Sequence, residues 1–144
     1  MKSNRFGFTL IELLVVVTIL AILLVAGAVG YNAQMIKSRD GRRLLEMKEI
    51  KNFIERYMVE NSSYPAISSE GDNNFTAMKV AIGSYARKIA DFEDPLNSID
   101  YQYYYQSDGD TFCLCAHLEK GTGNSGVNCS FSTGTEYFCS KSFQ

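Results

Sequence analysis

The sequence predicts an α+β fold: one long amino-terminal helix, a second shorter helix, and a small antiparallel sheet toward the carboxyl end. Three observations predict it. The 24 residues at 13–36 carry no charge and include 19 hydrophobic ones. Apolar residues then continue at three-to-four spacing through Ile36, Leu44, Met47, Ile50, Ile54, Tyr57 and Met58, the mark of one buried helix face. Beyond residue 100, Tyr101, Tyr103 and Tyr105 alternate with Gln102, Tyr104 and Gln106, and four cysteines fall within 27 residues. A length of 144 residues is that of one domain, which excludes a separate catalytic domain.

Charge is distributed unevenly. The formal net charge is −2, and residues 37–144 carry 12 basic against 15 acidic side chains, a balance that argues against nucleic acid as a partner. Within that part, 37–56 holds seven basic and four acidic residues, so the basic stretch sits beside the apolar run.

The first helix is expected over 8–60, 53 residues or about 80 Å at 1.5 Å per residue. Its 24 uncharged residues span about 36 Å, enough for a bilayer core of about 30 Å. A secretory signal cut near Ala26-Gly27-Ala28 is the competing reading, but the run exceeds the usual hydrophobic region of about 7–15 residues. Glu12 is anomalous, because a carboxylate bordering a membrane helix is costly without a positive partner; it reads either as a charge that needs such a partner or as a boundary residue reaching for head groups.

Gly7-Phe8-Thr9-Leu10-Ile11-Glu12-Leu13-Leu14 resembles the processing and assembly motif of type IV pilins and pseudopilins. The resemblance implies a leader at 1–7, cut between Gly7 and Phe8 by a prepilin peptidase that also methylates the new amino group of Phe8. Residues 8–36 become the membrane-spanning and filament-core half of the helix. Residues 37–144 form a pilin-like head in which the carboxyl-terminal half of the long helix packs on the sheet. Glu12 is then the assembly glutamate, paired with the Phe8 ammonium of a neighbouring subunit, which supplies the matching charge a buried carboxylate needs.

The implied function is that of a structural subunit with no catalytic residues and no cofactor. Its implied partners are copies of itself or related pilins, membrane lipid before assembly, and the peptidase. The precursor belongs in the cytoplasmic membrane and the product in a cell-surface filament. A pseudopilin of a secretion or DNA-uptake machine and a singly anchored binding domain are the alternatives. Lys37, Arg39, Arg42 and Arg43 outnumber Lys2 and Arg5, which by charge counting favours a cytoplasmic carboxyl end. The motif and the cysteines overrule that orientation.

Gly27, Gly30 and Gly41 weaken the helix by about 1 kcal/mol each relative to Ala and are candidate flexing points, or else places of close helix packing. Lys37, Arg39, Arg42 and Arg43 read as a solvated face, or as a stripe meeting head groups or acidic neighbours. Asn61-Ser62-Ser63-Tyr64-Pro65 stops the helix, since the residue before proline is driven from helical angles. Tyr57, Asn61 and Tyr64-Pro65 together resemble the helix end and Tyr-Pro loop of major pseudopilins and small pilins.

A second helix is expected over 75–90, with Phe75, Met78, Ile82, Tyr85 and Ile89 on one side and Asn73 or Asn74 as cap. Residues 94–97 form a turn, 101–106 a strand, 107–110 a hairpin turn and 111–118 the returning strand. A glycine-rich loop follows at 119–126, with weaker strand signals at 127–131 and 136–139.

On a strand Cys113 and Cys115 point to one face about 6.6 Å apart, so each is expected to bridge to Cys129 or Cys139, with the pairing open. Cys113, Cys115, His117, Cys129 and Cys139 also supply five possible zinc ligands, but without the usual C-x-x-C spacing, and strand placement and export favour bridges over metal. His117 reads as a half-buried strand residue. A Cys115–His117 nucleophile pair needs a bent strand. Asp91, Glu93, Asp94, Asp108 and Asp110 are calcium-ligand types without a fixed loop spacing. Asn61-Ser62-Ser63, Asn74-Phe75-Thr76 and Asn128-Cys129-Ser130 match the short glycosylation triplet.

Overall fold

The computed structural model describes residues 7–67, 74–126 and 129–142. The chain divides into two compact units, Met1–Ile36 and Lys37–Gln144. Helix α1 (Leu10–Asn61) contributes to both. It runs through Gly27, Gly30 and Gly41 without a break, and a Cβ at any of the three would meet open space. Close packing among the described residues therefore explains none of them.

In the second unit the buried stripe of α1 is Asp40, Arg43, Met47, Ile50 and Ile54, while Leu44 is 39% exposed. The apolar face was expected to enter this region at Leu44. It is displaced by one position because Arg43 takes the inward site. The helix ends at Ser62, whose φ of +59° and N–H bond to the Met58 carbonyl at 2.7 Å close the last turn in the left-handed manner. Asn61 Nδ2 donates to the Tyr57 carbonyl at 2.9 Å, and the Tyr85 hydroxyl donates to Asn61 Oδ1 at 3.3 Å.

Helix α2 (Asn74–Ile82) is shorter than expected. Residues from Gly83 turn, and a five-residue 3₁₀ segment, Arg87–Asp91, replaces the remainder. Phe75, Met78, Ile82 and Ile89 are all buried nonetheless, because the turn redirects the chain without exposing that side. Asn74 is the first residue of α2, and Asn73 lies outside the described residues.

Five strands form one sheet in the order β1-β2-β5-β3-β4, with every pair antiparallel. They are β1 (Tyr103–Ser107), β2 (Phe112–His117), β3 (Gly123–Ser125), β4 (Phe131–Thr135) and β5 (Tyr137–Lys141). The β1–β2 hairpin pairs Tyr105 with Leu114. Its turn is built by Asp108, whose Oδ1 accepts from the Asp110 and Thr111 N–H groups at 3.0 and 2.7 Å, and by Gly109 at φ +97°.

The glycine-rich loop contains β3, which its composition hid. A Cβ at Gly123 would lie against the Tyr137 carbonyl and 2.6 Å from the Thr135 oxygen, so this strand is admitted by its lack of a side chain. Of the weak strand expected at 127–131, only Phe131 is in β4, and residues 127 and 128 lie outside the described set. Phe112, Leu114 and Ala116 face the core with Tyr103, Tyr105, Met47, Ile50, Ile54, Met78 and Ile82. Cys113, Cys115 and His117 alternate to the other face.

Candidate functional site: the helix start and the head that follows

Thr9 is the cap residue of α1, and Glu12 is the third residue of its first turn. The Thr9 N–H and hydroxyl donate to Glu12 Oε2 at 2.9 and 2.7 Å, and the Glu12 N–H reaches Thr9 Oγ1 at 3.4 Å. This is a capping box, in which two helix-end donors are satisfied reciprocally. The Thr-x-x-Glu spacing in the sequence is the signal for it. The carboxylate is thus held at the helix start within its own chain, at the end where the helix dipole favours a negative group.

Around it the surface is apolar and uncovered. Phe8, Leu10, Ile11, Leu13 and Leu14 are between 60 and 88% exposed, and exposure of large apolar side chains continues through Val25. One 18-residue window of α1 has a mean hydropathy of 2.9 with none of it buried, so by length and composition this helix can cross a membrane. Apolar surface on this scale marks a lipid or protein interface.

In the second unit three of the four residues of the basic stripe, Arg39, Arg42 and Arg43, pair with carboxylates of the same chain, while Arg42 and Lys37 keep the expected solvent exposure. Arg43 has no exposed side-chain surface. It donates bidentately to Asp94 at 2.6 and 2.8 Å, to Asp40 at 2.7 Å and to Glu119 at 2.8 Å, and its guanidinium lies 5.0 Å from the Tyr101 ring centre. Arg39 clasps the same Glu119 at 2.7 and 2.5 Å, while Arg42 takes Glu46 at 2.5 Å. Asp40 in turn accepts from the backbone N–H groups of Glu119 and Lys120 at 2.9 and 3.1 Å. Burial works to depress the Arg43 pKa, but its bonds to Asp94, Glu119 and Asp40 outweigh it and raise the value. The Arg39 bond, with Arg43 behind it, holds Glu119 down at about 2 against the desolvation that opposes it. Asp94, grouped with possible calcium ligands in the sequence, is committed to Arg43, and Asp108 to its turn.

Cys113 is joined to Cys129 and Cys115 to Cys139. Cys115 and Cys139 are directly opposed on β2 and β5, and Cys129 is tethered beside the sheet. Cys115 is therefore no nucleophile for His117. The His117 ring lies stacked between Tyr101 and Tyr137, 4.6 Å from each, with Nδ1 donating to the Asp100 carbonyl at 2.7 Å.

Residues 2–28 match the family described as the prokaryotic N-terminal methylation motif. It is the signature of type IV pilins and pseudopilins. The pilin signature covers the cap, Glu12 and most of the exposed apolar run, and it points to a structural subunit. The long helix followed by a five-stranded antiparallel sheet is an α+β, pilin-like arrangement. No curated protein and no solved structure matches the chain.

Proposed function

We propose that the chain is the structural subunit of a type IV pilus-like filament, inserted in the cytoplasmic membrane as a precursor and exposed at the cell surface after assembly. The uncovered apolar start of α1, with one carboxylate held at its cap by Thr9, supports this reading: its large apolar side chains are left exposed by the described residues. Cleavage between Gly7 and Phe8 by a prepilin peptidase creates an ammonium four residues from Glu12, and methylation marks that new terminus. Removal of Lys2 and Arg5 takes the formal net charge from −2 to −4. In the filament, Glu12 exchanges its Thr9 contacts for the Phe8 ammonium of a neighbouring copy or related pilin, and apolar contacts with neighbouring helices replace lipid.

Mass spectrometry of the native protein is expected to find a methylated amino terminus at Phe8. An intact Met1, or a terminus near Ala28, would sink the proposal. The Glu12→Ala variant should remain inserted yet form at least tenfold fewer filaments, because the Phe8 ammonium would be left without its matching charge. Normal filament numbers by electron microscopy would contradict the assigned role. Loss of secretion with no surface filament in a deletion strain would favour the pseudopilin alternative.

A further inference from the structure

The two disulfides do not lie apart. Cys113, Cys115 and Cys139 are fixed by the β2–β5 ladder, in which Cys115 opposes Cys139 and Cys113 opposes Lys141. Cys129 is brought in by a segment closed by the Gly126 N–H to Ser130 carbonyl bond at 3.0 Å and the Cys129 N–H to Gly126 carbonyl bond at 3.1 Å. All four sulfurs fall within 4.8 Å of one another. Beyond the bonded partners, Cys115 Sγ is 3.7 Å from Cys113 Sγ and 3.5 Å from Cys129 Sγ.

Those two spacings match another chemistry. Four thiolates around a tetrahedral zinc ion at about 2.3 Å stand about 3.8 Å from one another. Rotation of side chains that are already adjacent would open the two bonded pairs to the same separation. Cys115 and Cys139 are 1 and 2% exposed, which suits a closed structural site rather than a catalytic one with an open position. Lys141 lies opposite Cys113 in the ladder, with its ammonium 5.3 Å from the Phe131 ring centre. His117 is clamped by two tyrosines, with Nδ1 on the Asp100 carbonyl and Nε2 3.4 Å from Glu136, and the clustered ligand atoms are the four sulfurs.

We propose that before its cysteines oxidise the chain binds one zinc ion through Cys113, Cys115, Cys129 and Cys139, and that the two disulfides later replace the metal. On binding, the four thiols release four protons and each sulfur donates a lone pair to zinc. On oxidation, two equivalents of a disulfide oxidant take up four electrons and four protons and become four thiols. The bonds Cys113–Cys129 and Cys115–Cys139 form, and zinc departs as the dication. The metal would hold β2, β5 and the Cys129 segment together while the correct sulfurs wait for oxidant.

The test uses the full processed chain in detergent, reduced anaerobically with a phosphine and titrated with cobalt as a visible probe. Expected are one cobalt per chain, the d–d and sulfur-to-metal bands of a tetrahedral tetrathiolate, their displacement by one equivalent of zinc, and protection of all four cysteines from alkylation. Absence of those bands, or four freely alkylated cysteines with metal present, overturns the proposal. The Cys113→Ser/Cys129→Ser variant can retain its Cys115–Cys139 bridge, so near-ultraviolet dichroism of the oxidised variant checks that it folds. Once reduced, it should lose the tetrathiolate bands entirely. Their survival overturns the assignment, as does a change in the wild-type spectrum on His117→Ala.

Discussion

Arg43 has no exposed side-chain surface but has three carboxylates within hydrogen-bond distance, and its charge is tolerated because each polar edge is matched. Truncation would leave Asp94 buried without its partner. Arg43→Ala is therefore expected to destabilise the head by about 3–5 kcal/mol, seen as a lower urea midpoint in detergent-solubilised chain. Arg42→Ala, on a half-exposed pair with Glu46, should cost about 1 kcal/mol or less. Glu119 carries a pH dependence. Its folded pKa of about 2 lies below the ordinary 4.5, so the stability it contributes is present above pH 4.5 and lost as the pH falls toward 2. Thermal unfolding followed by circular dichroism should show the melting temperature dropping across that window, and Glu119→Gln should remove that component of the decline. An unchanged profile in the variant would contradict the assignment.

At the scale of elements, β3 depends on an absence. Gly123→Ala would drive a methyl group into the Tyr137 and Thr135 carbonyls, which are backbone and cannot move aside singly. The substitution is expected to separate β3 from β5 and cost about 1–3 kcal/mol, with faster amide exchange at Asn124 and Ser125 as the local readout. Elements announced by local chemistry were legible in the sequence. The α1 stripe showed as 3.6 periodicity, its end as Tyr64-Pro65, and the hairpin as alternating tyrosines around Asp108-Gly109. Tyr64 shows why that end signal is firm: its N–H donates to the Gly109 carbonyl at 2.8 Å, and its hydroxyl donates to Glu55 at 2.9 Å. What stayed hidden depends on distant partners. Nothing near Arg43 in sequence reveals Asp94, 51 positions on, or Glu119, 76 positions on. Likewise Gly123-Asn124-Ser125 has no strand propensity and is a strand only because β4 and β5 flank it. At the helix start, by contrast, Thr9 and Glu12 were readable as a cap from their spacing.

For the whole molecule, the first unit leaves its apolar side chains exposed and the second buries its own. Large apolar side chains from Phe8 to Val25 are exposed, whereas Met47, Ile50 and Ile54 on the same helix are no more than 1% exposed. The two cysteine bridges have a further consequence for a protein whose proposed place is outside the cell. They overlap along the chain, so every peptide bond between 116 and 128 is enclosed by both, and Lys120 within that interval is exposed. A trypsin cut there would sever the backbone without separating the pieces. A nicked chain should migrate near its uncut mass on a non-reducing gel and split into two fragments only when reductant is added. Splitting without reductant would show that the bridges are not as assigned. A subunit built this way can be wounded by extracellular proteases and still hold its place among its neighbours.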